Sequence, residues 1–273
     1  MLYLVATPIG NLKEFTQRAI ETLDSVDYIL CEDTRTSQVL LEFYKIKKPL
    51  KSYHKFNESK ASLNIIEDLK AGKNIALISD AGMPGISDPG QILVKELIKN
   101  DLEYTVISGA SAFVNAYVLS GYDVPFTFVG FLSDNNTKRK TMLENIKDYD
   151  TTLIFYMSPH SIEKDLLDLY SALGDREICV VREISKKFEE KTFSTLKEGF
   201  KGTIKGEFVV VVNKQEKKES HNDINADLQV LLDMGLTKSD ASKVLAKARG
   251  LKKNDVYKNS HMLFWLFWNV NKM

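Results

Sequence analysis

Short apolar segments alternate with amphipathic segments through the first part of the chain. Four apolar segments have the length of buried strands: LYLVA, VDYILC, NIALI and EYTVI. Apolar residues at helical spacing follow each of them, around residues 18–23 and 38–44 and within QILVKELIKN and ASAFVNAYVL. This alternation predicts a parallel sheet joined by right-handed helical crossovers.

The pattern changes after Pro125. Strand patterns follow in FTFVGFL, TLIFYM, EICVVREI and EFVVVVN, and a helix-poor stretch between the last two predicts a partly antiparallel second sheet. Residues 214–223 (KQEKKESHND) have the composition of a linker, and helical periodicity follows, with Gly235 and Thr237 as predicted caps. The predicted class is α/β, with a mainly parallel N-terminal domain (1–110), a second α/β domain with a mixed sheet (111–215) and a small C-terminal helical domain (222–273).

Composition narrows the possible functions. The chain has 273 residues, and its 37 Lys and Arg balance 37 Asp and Glu, so nucleic-acid binding would have to use local patches. No apolar stretch reaches the roughly 18 residues of a membrane helix, and we expect a cytoplasmic protein without membrane contact. Cys31 and Cys179 lie in apolar runs, which predicts buried thiols, and the four scattered His predict no bound metal.

Polar or glycine-rich loops follow all four strands of the predicted parallel sheet. They read TPIGN, EDTR, SDAGMPGISDPG and SGASA in chain order. Because the carboxyl ends of parallel strands share one edge of a sheet, the four loops are predicted to form one ligand site.

The loop sequences also constrain the ligand. Neither a P-loop nor a GxGxxG fingerprint is present, which disfavours pyrophosphate, while small residues and exposed main chain suit a nucleoside such as that of S-adenosylmethionine (SAM). Asp33 or Asp80 could accept from ribose hydroxyls or contact a cationic ligand, and capping of the following helix is the alternative role for Asp33.

Eight segments occur in a fixed order from Leu2 to about Tyr257: LYLVATPIGNL, CEDTRTSQVLL, SYHKFNE, SDAGMPGISDPG, FYMSPHS, VVREISK, GEFVVVV and KKNDVY. Together they resemble the bacterial ribosomal RNA small subunit methyltransferase I family of the tetrapyrrole methylase superfamily. The resemblance implies two α/β domains of tetrapyrrole methylase type, SAM in the cleft between them, and a homodimer. It also implies 2′-O-methylation of a decoding-region cytidine, cytidine 1402, in 16S rRNA of the small ribosomal subunit.

The resemblance also implies roles for individual residues. The cofactor-binding set is Pro8, Ser79, Asp80, Ala81, Gly82, Ile86, Ser111, Ala112, Tyr156 and Met157. The family usually has Pro at positions 108 and 110, Glu at 157 and Arg at 161, where this chain has Ser108, Ala110, Met157 and Ser161. We therefore expect a less rigid loop after the fourth strand, and an apolar Met157 that could still line an adenosine pocket.

A base near the acceptor hydroxyl would help methyl transfer, because a ribose hydroxyl is a weak nucleophile. Glu32, Asp33, His54 and Asp88 lie near the predicted edge, and Asp33 and His54 are the predicted catalytic residues. The alternative for His54 is a structural hydrogen bond.

RNA contacts are predicted at cationic positions: Arg35, Lys138, Arg139, Lys140, Lys252 and Lys253. Residues 138–140 are interpreted as part of a loop, and simple solvation is the alternative. The apolar segment MLFWLFWNV is predicted to pack in a core or dimer interface. Two other functions stay open: a small-molecule methyltransferase acting on a tetrapyrrole, and a non-catalytic ribosome-binding protein.

Overall fold

The computed structural model describes residues 1–215 and 224–257. The chain divides into two compact units, Met1–Gln215 and Glu216–Met273. No helix within the described residues has the length and apolar character needed to cross a membrane.

The first unit begins with a five-stranded sheet in which every paired strand is parallel. Its strands are β1 (Leu2–Val5), β2 (Tyr28–Cys31), β3 (Leu50–Ser52), β4 (Ile75–Ile78) and β5 (Tyr104–Ile107), in the spatial order β3-β2-β4-β1-β5. Strands β2 and β4 are buried at every position, as expected for the centre of a sheet covered on both faces. The predicted parallel sheet is confirmed, and the short β3 adds an edge strand.

Helices cover both faces of this sheet. They are α1 (Gln17–Ser25), α2 (Thr34–Phe43), α3 (Glu58–Lys70) and α4 (Gln91–Lys99), with a 3₁₀ turn at Leu12–Glu14. Helix α5 (Ala112–Ser120) follows β5 but packs against the second sheet described below. Helix α3 was not predicted, although it buries Ser62, Ile65, Ile66 and Leu69 on one face. Thr16 and Asp33 cap α1 and α2 with side-chain hydrogen bonds.

The second sheet is mixed, as predicted. Its strands are β6 (Phe126–Phe131), β7 (Thr152–Met157), β8 (Glu177–Arg182), β9 (Glu190–Thr195) and β10 (Phe208–Val212), in the order β6-β7-β10-β8-β9. Only the β6–β7 pair is parallel among the pairs of this sheet. Helices α6 (Asn136–Ile146) and α7 (Ile162–Leu173) accompany it. Cys31 and Cys179 are buried free thiols, as expected.

The prediction that residues 138–140 form a loop is wrong. They lie in the first two turns of α6, whose N-cap Asn135 accepts a hydrogen bond from the Lys138 amide. Arg139 is buried and paired with Asp165 and Asp168 of α7, so its guanidinium does not reach the surface with its two neighbours. The burial of Arg139 could not be recognised from local sequence, because its acidic partners lie 26 and 29 residues further along the chain.

The C-terminal unit contains α8 (Ile224–Asp233) and α9 (Lys238–Arg249). Thr237 is the N-cap of α9, as predicted, and its hydroxyl accepts from the Asp240 amide. Leu228, Leu245 and Val256 form part of a small apolar core. Residues 216–223 of the predicted linker and the apolar segment MLFWLFWNV lie outside the described residues.

Candidate active site

The loops after β1 and β4 are joined at the carboxyl edge of the first sheet. Thr7 and Gly82 exchange two backbone hydrogen bonds, of 2.8 and 3.2 Å. The Thr7 hydroxyl also donates to the carbonyl of Ser79, at 3.1 Å. These bonds hold the start of SDAGMPGISDPG against the end of β1, so the long loop is fixed at its base.

Glycine is required at two points of this edge. Gly82 has a φ of +79°, a conformation that side-chain-bearing residues rarely adopt. A Cβ on Gly109 would lie 2.9 Å from the Cβ of Ala6, because the loops after β1 and β5 approach each other closely there. The glycines in these loops therefore serve the shape of the site.

A cavity of about 410 Å³ opens beside these loops, within the size range of small-molecule sites. Eight predicted cofactor residues line it: Asp80, Ala81, Gly82, Ile86, Ser111, Ala112, Tyr156 and Met157. Pro8 and Ser79 line a neighbouring cleft of about 440 Å³ that shares Asp80 and Ala81. The ten predicted cofactor-binding residues therefore line two adjoining spaces, the cavity and the cleft.

Sequence reasoning missed part of the lining. The missed residues are Ile9, Met83, Ser87, Phe131, Ser158, Pro159, Ile184, Gly206, Glu207, Phe208 and Val209, while Glu32 and Asp88 were considered only as catalytic candidates. The segment at residues 206–209 reaches the cavity because β10 pairs antiparallel with β7, which puts Phe208 opposite Met157. Recognition of that pairing would have placed the start of EFVVVVN beside the end of TLIFYM.

The cavity is lined by four carboxylates, Glu32, Asp80, Asp88 and Glu207, and by no lysine or arginine from the part of the chain that the structure describes. Burial, followed by the charges of Glu32 and Asp80, raises the pKa of Asp88 to about 7. Burial also raises the pKa of Asp80 and of Glu32. Such a site disfavours phosphate and would be stabilised by a cationic ligand.

One wall of the cavity is apolar and aromatic. The ring of Tyr156 lies 5.4 Å from that of Phe131, and burial raises the pKa of the Tyr156 phenol to about 12. Met157 is buried at the end of β7. This wall can accept a planar ring, while Glu32, Asp80 and Asp88 lie on the loops after β2 and β4 and Glu207 immediately precedes β10.

The two predicted catalytic residues do not line the cavity. Asp33 caps α2 by accepting from the Arg35 amide at 2.8 Å, and its carboxylate also pairs with the Arg35 guanidinium at 2.7 Å. These hydrogen bonds lower the pKa of Asp33 to about 2. The Nδ1 atom of His54 is buried without a hydrogen-bond partner among the described residues. Burial raises the pKa of Glu32, and the charge of His54 has the opposite, smaller effect on that pKa.

Five of the six predicted RNA-contacting residues are exposed. Arg35 is exposed at the start of α2, and Lys138 and Lys140 are exposed on α6. Lys252 and Lys253 are exposed in the C-terminal unit, where the Lys253 ammonium donates to the Ser239 hydroxyl. Arg139, which lies between Lys138 and Lys140 in the chain, is buried and adds no charge to the surface of α6.

The fold and the site define a methylase of the tetrapyrrole (corrin/porphyrin) class, whose family model matches residues 1–199. Curated relatives narrow this class. Ribosomal RNA small subunit methyltransferase I of Bacillus subtilis (strain 168) is 40% identical over 275 residues, covering 96% of this chain and 94% of the relative. The enzyme of the same name from Synechocystis is 40% identical, covering 95% and 97%. This chain belongs to the ribosomal RNA small subunit methyltransferase I family.

A shorter relative matches a smaller share of this chain. Ribosomal RNA small subunit methyltransferase I of Mycoplasmopsis pulmonis is 47% identical over 215 residues, which is 96% of its own length but 77% of this chain. The unmatched share of this chain is close in size to the C-terminal unit.

Solved structures support the fold alone, because their sequences are distant. A diphthine synthase superposes with a TM-score of 0.61 at 14% identity, covering 78% of this chain and 89% of that one. The uroporphyrin-III-C-methyltransferase of Thermus thermophilus gives 0.57 at 16% identity, covering 78% and 94%.

Proposed function

We propose that this protein binds SAM in the carboxylate-lined cavity and methylates the ribose 2′-oxygen of a decoding-region cytidine in the small-subunit rRNA. The observation that carries the cofactor assignment is the set of four carboxylates in the lining, of which only Glu207 has an ion-pair partner, Lys186 at 3.0 Å, among the described residues. SAM carries a sulfonium and an ammonium group, and both are complementary to these side chains. The rRNA acceptor is proposed from the names of the relatives.

The residues present fit the other parts of the cofactor as well. Ser111 and Ala112 line the cavity at the N-terminus of α5, where backbone N–H groups favour a carboxylate such as that of the methionine moiety. The aromatic wall at Tyr156 and Phe131 suits the adenine ring. When bound, the cofactor supplies an electrophilic methyl group.

We propose Asp88 as the group that accepts the proton lost by the acceptor hydroxyl. It lines the cavity, and it lies close enough to Glu32 and Asp80 for their charges to favour its protonated form. A carboxyl with a pKa near neutrality is an effective acceptor of that proton under physiological conditions. Asp33, whose pKa is about 2, is a much weaker base. His54 is proposed as a neighbour of Glu32 whose charge opposes the rise that burial causes in the pKa of Glu32.

A homodimer is the proposed assembly. Val114 and Val118 are exposed one turn apart on α5, and Val124 and Phe126 are exposed nearby in the chain. Phe126 of β6 packs on Tyr117 of α5, with ring centroids 4.5 Å apart. An apolar surface of this kind supports pairing with a second copy. Val118→Lys should produce monomers in light-scattering measurements, and an unchanged mass would oppose this interface.

The methylation proposal is tested with small ribosomal subunits from cells that lack this gene. Purified protein and SAM carrying a labelled methyl group are incubated with the subunits, and the digested rRNA is analysed by mass spectrometry. We expect label in 2′-O-methylcytidine from 16S rRNA, and a loss of kcat of about 100-fold or more in Asp88→Asn. Bound cofactor with no label in rRNA would reject the acceptor, and transfer to a tetrapyrrole would support the alternative methyltransferase.

A further inference from the structure

The turn after β3 lies at the same edge of the sheet as the cavity. Strands β2 and β3 are parallel, with Cys31 opposite Ser52, and the Tyr53 amide donates to the Cys31 carbonyl at 2.8 Å. The next residue, His54, is close enough to Glu32 for its charge to affect that carboxyl. Because Glu32 lines the cavity, the turn at residues 54–57 borders the site.

Hydrogen bonds fix the shape of this turn. The Asn57 side chain accepts from the His54 amide at 2.8 Å and donates to the Ser52 carbonyl at 3.1 Å. The His54 carbonyl accepts from the amides of Asn57 and Glu58, both at 2.9 Å. Because these four hydrogen bonds fix its backbone, the turn presents the two residues at its tip in a defined position.

Phe56 is at the tip of this turn. Its side chain is 93% exposed, more than any other exposed large apolar side chain in the described part of the protein. Its ring lies 6.1 Å from that of His54, edge to face. Single exposed apolar residues are common, so exposure by itself has no functional meaning. The position of Phe56 beside the cavity, on a turn fixed by hydrogen bonds, is what requires an explanation.

Charged and polar residues flank Phe56 in the chain: Lys55, Asn57, Glu58 and Lys60. Lys55 and Lys60 are exposed, and neither has an ion-pair partner within residues 1–215 and 224–257. A protein-binding surface would have an apolar centre of several residues, whereas the flanking side chains here are Lys55 and Asn57. An exposed aromatic ring next to Lys55 in the chain and four residues before Lys60 matches single-stranded nucleic acid, whose bases stack and whose phosphates pair with lysine.

We propose that Phe56 stacks on an unpaired RNA base next to the nucleotide whose ribose enters the cavity, with Lys55 and Lys60 contacting the adjoining phosphates. This inference rests on the proposed rRNA methylation. The stacked base anchors the strand at the edge of the sheet, while the acceptor ribose extends past His54 toward Glu32 and the cavity. Phe56 is thus a positioning residue for the RNA and takes no part in cofactor binding.

The test compares full-length variants at position 56. Phe56→Ala, Phe56→Leu and Phe56→Trp are assayed for affinity for small ribosomal subunits, for methyl-transfer KM and kcat, and for SAM affinity. Base–aromatic stacking predicts a rise of about 10-fold or more in Kd and KM for RNA in Phe56→Ala, with kcat and SAM affinity unchanged. Phe56→Trp should restore binding because it retains a stacking surface, and Phe56→Leu should not.

Phe43→Ala is the matched control. Phe43 is 59% exposed, but it ends α2, about 15 Å along the helix from the edge where α2 begins. The Phe43→Ala variant should leave the affinity for the subunits, the KM, the kcat and the SAM affinity unchanged. If the wild-type protein methylates the subunits and Phe56→Ala binds them equally well, the stacking role alone is overturned. The same holds if Phe56→Leu binds the subunits as tightly as the wild type. Failure of the wild-type protein to methylate the subunits would instead reject the proposed function, and the stacking inference with it.

Discussion

Arg139 and Asp165 form a buried ion pair, with the guanidinium Nη2 and the carboxylate Oδ1 2.5 Å apart. The second carboxylate oxygen of Asp165 accepts from the Ser161 hydroxyl at 2.8 Å, and that hydroxyl lies 3.0 Å from the hydroxyl of Ser158. Because Ser158 lines the cavity, the ion pair of α6 and α7 is linked to the loop that borders the candidate cofactor site. Ser161 is a member of this network.

Replacing Arg139 should therefore affect both stability and the site. Arg139→Met leaves the Asp165 carboxylate buried without its cation, which should lower the free energy of unfolding by about 3–5 kcal/mol. Denaturant unfolding measures this loss. Lys140→Met, at the exposed neighbouring position, is the control and should change stability little. Equal stability of the two variants would mean that the buried pair does not organise this part of the fold.

Asp88 should make stability depend on pH. Its pKa is raised by burial to about 7 in the folded protein, so folding favours the protonated carboxyl. The wild-type protein is then stabilised at low pH and loses that contribution as pH rises toward 7. Asp88→Asn, neutral at every pH, should match the wild type near pH 4 and exceed it by about 1–2 kcal/mol at pH 8, since the side chain is partly in contact with water. A difference that does not vary with pH would contradict the raised pKa.

Asp33→Asn separates helix capping from catalysis. Asparagine is as good an N-cap as aspartate, so the variant should keep α2 intact and methylate at a rate within about twofold of the wild type. Asp33→Ala should lower the melting temperature, because the bond to the Arg35 amide is lost. A decrease in kcat of about 100-fold in Asp33→Asn would restore Asp33 as the base.

Gly109 should not tolerate a side chain. In Gly109→Ala the new Cβ would lie 2.9 Å from that of Ala6, and relief of this contact would shift the loops that border the cavity. We expect a loss of about 1–3 kcal/mol in stability and weaker SAM binding. The adjacent Ser108 is exposed, so Ser108→Ala is the control for the same loop. Normal SAM affinity in Gly109→Ala would show that this close approach does not shape the site.

The sequence predicted the parts of the fold that depend on apolar segments. Strands such as β1, β2 and β4 are buried and apolar, and they are recognisable without knowledge of their partners. Strand β3 is three residues long with two exposed positions, and α6 has little amphipathic pattern. Those two elements are defined by their neighbours in space, which the sequence alone does not reveal.

The candidate active site, like the fold, could be predicted only in part from the sequence. The glycine-rich loop and its edge of the sheet followed from the order of strands and loops. The different environments of Asp33 and Asp88 did not, because both are aspartates near the same edge. One is bonded to Arg35, and the other lies in a cavity among carboxylates. The contribution of residues 206–209 depends on antiparallel pairing of β7 with β10, which local sequence does not specify.

The central claim is that the carboxylate-lined cavity is the SAM site. Calorimetric titration of the full-length protein with SAM tests it most directly, with Ala112→Trp as the variant whose indole would fill the cavity. The account predicts one SAM per chain in the wild-type protein and no binding in Ala112→Trp, provided that the variant remains folded by circular dichroism. Absence of binding in the wild type, or equal binding in the folded Ala112→Trp variant, would contradict it.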